Sequence, residues 1–230
     1  VRVEYAGKKI SDGTSEMNGF SFYSVGSGTT LDHLVSYKGA DDGFEFYGGT
    51  VSATNLISYG NFDDSFDWQD GWRGQNNSNW LAIQVGTGNF GMEIEASNNN
   101  NSYWPVVANI TLKRMPGTQT EGGSSAAEYD AIQFKKDGNG EFSNVVISGY
   151  TTSGATAVRI QDTNTNTNQV DGSKIKLTNV KINDGTSQYA GAGTLTVAFP
   201  SGQYTTSDAA TGASLTTGNW ATVDGVNLIQ

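Results

Sequence analysis

The feature that most limits how this 230-residue chain can fold is a short apolar-polar-apolar motif that returns at nearly fixed spacing. It reads GFSF at Gly19–Phe22, GFEF at Gly43–Phe46, SFDW at Ser65–Trp68, GMEI at Gly91–Ile94, AIQF at Ala131–Phe134 and AVRI at Ala157–Ile160. Successive copies lie 24, 22, 26, 40 and 26 residues apart. Alternation with period two means a strand. A return every 22 to 26 residues fits one coil of a parallel solenoid, each coil stacked ~4.8 Å above the last. Equivalent residues then form columns. One should contain Phe20, Phe44, Phe66, Met92, Ile132 and Val158, and its neighbour Phe22, Phe46, Trp68, Ile94, Phe134 and Ile160.

A second ladder interleaves with the first. Asn precedes an apolar strand in TNLISYG (54–60), NWLAIQVG (79–86), ANITLKR (108–114), SNVVISG (143–149) and TNVKIND (178–184), and His33 takes its place in DHLVSYKG (32–39). At a corner between parallel strands, an inward Asn can hydrogen-bond its own turn and the Asn of the next coil, so that neither polar group is buried unpaired. The expectation is an all-β, right-handed parallel β-helix of about seven coils in one domain over residues 1–230. The coils span 1–184; after Gly185 the register lapses, and TLTVAF and WATVDGVNLI read as capping strands within 185–230. Three polar segments, ASNNNNSYWP (96–105), MPGTQTEGGSSAAEYD (115–130) and QDTNTNTNQVDG (161–172), read as solvated loops off the coil.

Composition agrees: 30 Gly, 3 Pro and only 16% charged residues suit short strands and tight turns. A net charge of −10 disfavours a nucleic-acid partner. No run approaches the ~20 apolar residues of a membrane-spanning helix. An acidic, Gly- and Asn-rich chain without cysteine points to the extracellular space or the outer cell surface.

On VRVEYAG (1–7) and the stretch from Asn18 to Gln75 that contains both ladders, the chain resembles right-handed β-helix proteins of the pectate-lyase-like class. More narrowly, it is similar to secreted or lipid-anchored surface proteins of Bacteroidetes and marine Gram-negative bacteria, a group mostly uncharacterised. The resemblance therefore implies fold and location rather than activity.

Candidate chemistry concentrates in ADDGFEF (40–46) and FDDSFDW (62–68). Two Asp pairs, Asp41-Asp42 and Asp63-Asp64, could act as paired general acid and base in glycoside hydrolysis. The His that would accompany such a pair is missing, because the only His is His33, in the corner ladder. A lyase would need calcium and a basic residue; Arg73 is the only one inside the acidic stretch. Calcium binding without chemistry is the stronger expectation. If Phe44 and Phe46 point inward, Glu45 faces out, with Asp67 and Glu93 above it in a solvated acidic row. Asp41, Asp42, Glu45, Asp63, Asp64, Asp67 and Asp70 are the candidate calcium ligands. Trp72, Arg73, Trp80, Tyr103 and Trp104 fall in or beside turns and are candidate carbohydrate contacts.

The chain opens directly on a coil strand. Either upstream coils are missing or Val1, Val3 and Tyr5 contact another copy, stacking head to tail into a fibre. The sequence therefore supports two functions: a non-enzymatic structural or adhesive surface element, steadied by calcium, or a carbohydrate-binding or carbohydrate-active β-helix that uses the face from Asp41 to Arg73.

Overall fold

The computed structural model describes residues 1–7, 17–99, 102–123 and 128–229. The strand motif builds one parallel sheet of seven strands: β2 (Phe20–Tyr23), β4 (Phe44–Tyr47), β6 (Phe66–Gln69), β8 (Met92–Ile94), β10 (Ile132–Phe134), β12 (Thr156–Ile160) and β14 (Ser187–Gly191). The Asn motif builds an eight-stranded one: β1 (Arg2–Glu4), β3 (Leu31–Tyr37), β5 (Ala53–Tyr59), β7 (Asn77–Gln84), β9 (Val106–Arg114), β11 (Gly140–Ser148), β13 (Ile175–Ile182) and β15 (Tyr204–Thr206). The chain alternates between the sheets, always pairing with the coil before, as a right-handed parallel β-helix does.

The two columns form in the expected register. Phe20 pairs with Phe44, Phe44 with Phe66, Phe66 with Met92, Met92 with Ile132 and Ile132 with Val158. All but Phe20 are fully buried, and the Phe20, Phe44 and Phe66 rings stack at 5.0 and 5.6 Å. Offset stacking adds to the area each ring removes from water.

The corner Asn residues differ from the inward placement expected. Asn55, Asn79, Asn109, Asn144 and Asn179 have φ between 56 and 60°, and His33 has φ 54°. Their side chains are half-buried at a bend, and the ladder skips them: Thr54 pairs with Ser78 and Leu56 with Trp80. A left-handed residue breaks the two-residue alternation, so Ala53, Leu56 and Ser58 rather than Ala53, Asn55 and Ile57 point inward. Hydrogen bonds join two pairs of ladder members, Asn144 Nδ2 donating to Asn109 Oδ1 at 2.7 Å and Asn79 Nδ2 to Asn55 Oδ1 at 3.3 Å, while Asn55 Nδ2 donates to Asp32 Oδ1, beside His33, at 2.7 Å. His33 sits on Asp32, Nδ1 to Oδ2 2.8 Å, and serves as a corner.

The end of the chain also departs from expectation. Register persists past Gly185, since Val158 pairs with Tyr189 and Leu177 with Tyr204. Leu195, Val197 and Phe199 pack on the core without forming a strand. From Ser207 onward the chain runs back along the outside of the longer sheet. Thr211 N donates to Asn144 Oδ1, Ala213 N to Thr111 Oγ1 and Ser214 N to Asn79 Oδ1. Ala221, Val223 and Leu228 then cover an outward apolar column of Val35, Ile57 and Leu81. The segment at 161–172 is likewise not a solvated loop. Asp162 caps a short helix, Thr163–Thr165, continued by Asn166–Val170, and Val170 joins the core. No helix among the described residues is long and apolar enough to cross a membrane.

At a left-handed position, Ala costs about 1–2 kcal/mol that Gly does not. Both Asn109→Ala and Asn109→Gly lose the bond from Asn144, so urea denaturation should find Asn109→Ala less stable than Asn109→Gly by about that amount. Equal stabilities would contradict a conformational role for the ladder.

Candidate functional site

The outward face of the seven-stranded sheet carries a row set by strand register: Ser21, Glu45, Asp67, Glu93, Gln133 and Arg159. The order of the three carboxylates is as the sequence implies, but their environment is not. Glu45 is 5% and Asp67 8% exposed, so the row is covered rather than solvated. Two carboxylates ~4.8 Å apart repel by roughly 0.9 kcal/mol in water and about 3.5 kcal/mol at an effective dielectric of 20.

Each acid meets this differently. Glu45 accepts hydrogen bonds from Gln69 Nε2 at 2.7 Å, from Asn18 Nδ2 and from the Tyr47 hydroxyl. Glu93 pairs with Lys135 at 2.6 Å, and Glu95 with Lys136 at 2.7 Å. Asp67 Oδ1 is buried without a hydrogen-bond partner among the described residues.

The Asp pairs in the preceding turn divide by role. Asp42 Oδ1 accepts Asp64 N at 3.0 Å, one coil on, and Asp64 Oδ1 accepts Phe90 N at 2.6 Å. Asp130 repeats the device, Oδ1 accepting Thr156 N at 2.6 Å, and also holds Arg159 through two contacts of 3.0 Å. The second Asp of each pair thus ties its coil to the next. Sequence reasoning missed Asp130, although it stands two residues before its strand, as Asp42 and Asp64 do. The first Asp of each pair is half-buried, and Asp63 accepts from Asn89 Nδ2.

Of the seven candidate ligands, five converge. Carboxylate oxygens of Asp41, Asp42 and Asp63 lie within 4.8 Å of one another, and so do those of Asp42, Glu45 and Asp67. Two oxygens on opposite sides of Ca²⁺, each at ~2.4 Å, stand that far apart. Asp64 belongs to neither group. Asp70 is exposed beyond the other end of β6 and accepts from Ser97 Oγ at 2.8 Å.

The aromatic candidates separate as well. Trp72 and Trp80 are fully buried, so neither is available to a sugar. Their indole N–H groups donate to Val51 O at 2.9 Å and Ala53 O at 3.0 Å, and both rings stack on Phe46. Trp80 stands on β7 opposite Leu56, at the first inward position after the left-handed Asn79, whereas Trp72, in the turn after β6, folds inward onto Phe46, a packing fact that local sequence does not carry. Arg73 places its guanidinium 4.8 Å over the Tyr103 ring and lines a small pocket with Asp70, apart from both carboxylate groups. Arg73, Tyr103 and Trp104 line a groove of about 610 Å³ at the turns between the sheets. A second cleft, about 730 Å³, continues the acidic row and is lined in part by Glu93, Gln133, Lys135 and Arg159. Val1 and Tyr5 are exposed and Val3 is half-buried on β1, the first strand of the longer sheet.

Burial, then neighbouring carboxylates, raises Asp42, Asp64 and Asp67 well above the usual carboxylate range. Asp63 is pushed up to about 7, by burial first and Glu121 next. Burial lowers Lys135, but the stronger pull of Glu93 and Glu95 takes it to about 12. A raised carboxylate contributes stability that is complete below its unfolded value near ~4 and disappears as pH rises through its folded value. The melting temperature in chelator should therefore fall between about pH 5 and 8, and Asp63→Asn should flatten part of that fall. A melting temperature that rises across this window would contradict the burial of these acids.

A family model described as a pectate-lyase-like β-helix domain matches residues 1–223. No curated protein and no solved structure matches the chain.

Proposed function

The chain belongs to the pectate-lyase-like β-helix family, and from that premise we propose that it is a carbohydrate-binding β-helix. In this reading a calcium ion sits between Asp42, Glu45 and Asp67, and an acidic polysaccharide lies along the same sheet face. The observation that carries it is Asp67: its Oδ1 is buried with no hydrogen-bond partner among the described residues, and a carboxylate oxygen of Asp67 lies within 4.8 Å of oxygens of Asp42 and Glu45. A buried carboxylate with no donor either takes up a proton or holds a cation. Asp42 and Glu45 supply further hard oxygen ligands of the kind Ca²⁺ takes in sixes to eights.

The neighbouring cleft supports an acidic glycan. Lys135 and Arg159 stand there beside the carboxylates, and a bound cation would offset the acids that otherwise repel a uronate. Binding fits better than bond cleavage. Lys135 is held protonated by Glu93, and Arg159 is clamped by Asp130, so neither is a ready general base.

A structural or adhesive role at the cell surface is the second reading. Exposed tyrosines favour it: Tyr23 stacks on Tyr47 at 4.1 Å, and Tyr5 packs edge-on against Tyr37 at 5.6 Å. An extracellular location suits both readings.

Calorimetric titration of chelated protein with Ca²⁺ should show saturable heat that Asp67→Asn removes. Polygalacturonate should bind at least about tenfold more tightly in Ca²⁺ than in chelator. No heat together with an unchanged melting temperature would overturn the cation site. Equal polygalacturonate binding in both buffers would overturn its link to the glycan.

A further inference from the structure

The turns on the other edge of the seven-stranded sheet form a site of different chemistry. The groove of about 610 Å³ is lined by residues from the turns of three successive coils and from the 102–104 loop. Its volume lies within the usual range for small-ligand pockets, ~300–1,000 Å³. Among the described residues no carboxylate lines it, although the chain carries 23 acids; Arg73 is the one charged group among them and the rest are hydroxyls, amides and aromatic rings.

Hydrogen bonds between coils hold the polar groups in place. Thr50 Oγ1 accepts Ser27 N at 3.0 Å, and Ser52 Oγ accepts Asn76 N at 3.0 Å. Each hydroxyl keeps its own hydrogen to donate, and the two stand two residues apart on one turn. Gln75 uses its amide hydrogens on the main-chain oxygens of Trp104, at 2.7 Å, and Arg73, at 3.1 Å, which keeps its side-chain carbonyl as an acceptor. Trp104 is anchored again by its indole N–H on Glu141 Oε1 at 3.1 Å. Arg73 lies over the ring of Tyr103, which is 58% exposed.

We propose that this groove binds a neutral, hydroxyl-rich glycan through its sugar hydroxyls and one Tyr103 ring face, independently of any metal. A pyranose presents a face of C–H bonds to an aromatic ring and a rim of hydroxyls to donors and acceptors, and both complements are held ready here. Uncharged ligands are favoured because the one cation among the described lining residues already lies on a ring.

The test is calorimetry in chelator with neutral hexasaccharides of the β-glucan, xylan and mannan types, with polygalacturonate alongside. At least one neutral hexasaccharide should bind. Tyr103→Ala should weaken it about tenfold, Tyr103→Phe should keep most of the affinity, and Asp67→Asn should leave it unchanged. Folding of each variant is checked by its melting temperature. The proposal is overturned if no neutral sugar binds at millimolar concentration, if Tyr103→Ala leaves the affinity unchanged, or if binding requires Ca²⁺. Failure of the calcium site would show instead as lost Ca²⁺ heat with this binding intact.

Discussion

Every part of this molecule depends on parallel in-register stacking, which sets like residues one above another at ~4.8 Å. The consequence differs with side chain. Stacked Phe residues at the positions of Phe20, Phe44 and Phe66 bury area and gain ring contacts. Stacked Asn residues pass hydrogen bonds along the column while tolerating the left-handed corner. Stacked carboxylates repel one another.

The acids are therefore where the fold needs help, and three solutions are visible. Asp42, Asp64 and Asp130 turn toward the main-chain N–H of the next coil, making the stack itself the partner. Glu93 and Glu95 are paired with Lys135 and Lys136 from a later coil. Glu45 is surrounded by neutral donors. Asp67, between Glu45 and Glu93 in the same row, shares none of these solutions at Oδ1. That contrast, more than the number of acids, singles out its position.

Much of the fold was legible because period and identity coincide: the motif containing Phe44 and Phe46 fixes strand, face and column at once. The row Glu45, Asp67 and Glu93 follows from the same register. What the sequence did not disclose are contacts between segments distant along the chain. The covering of Val35, Ile57 and Leu81 by the returning tail could be suspected only from paired apolar residues such as Leu34-Val35 and Leu56-Ile57, which imply burial on both faces. The inward turn of Trp72 depends on space beside Phe46. The burial of Val170 inside a run of Asn and Thr depends on the cap at Asp162, whose carboxylate accepts Thr165 N at 2.8 Å. Composition described that run as loop because Asn and Thr hydrogen-bond locally in either state.

Whether a cation completes the carboxylate stack, as proposed, is tested most directly by anomalous scattering from crystals grown with Ca²⁺. A peak is expected within ~2.3–2.6 Å of Asp42, Glu45 and Asp67 oxygens. No peak there, with Asp67 protonated and hydrogen-bonded to a neighbouring carboxylate instead, would contradict it.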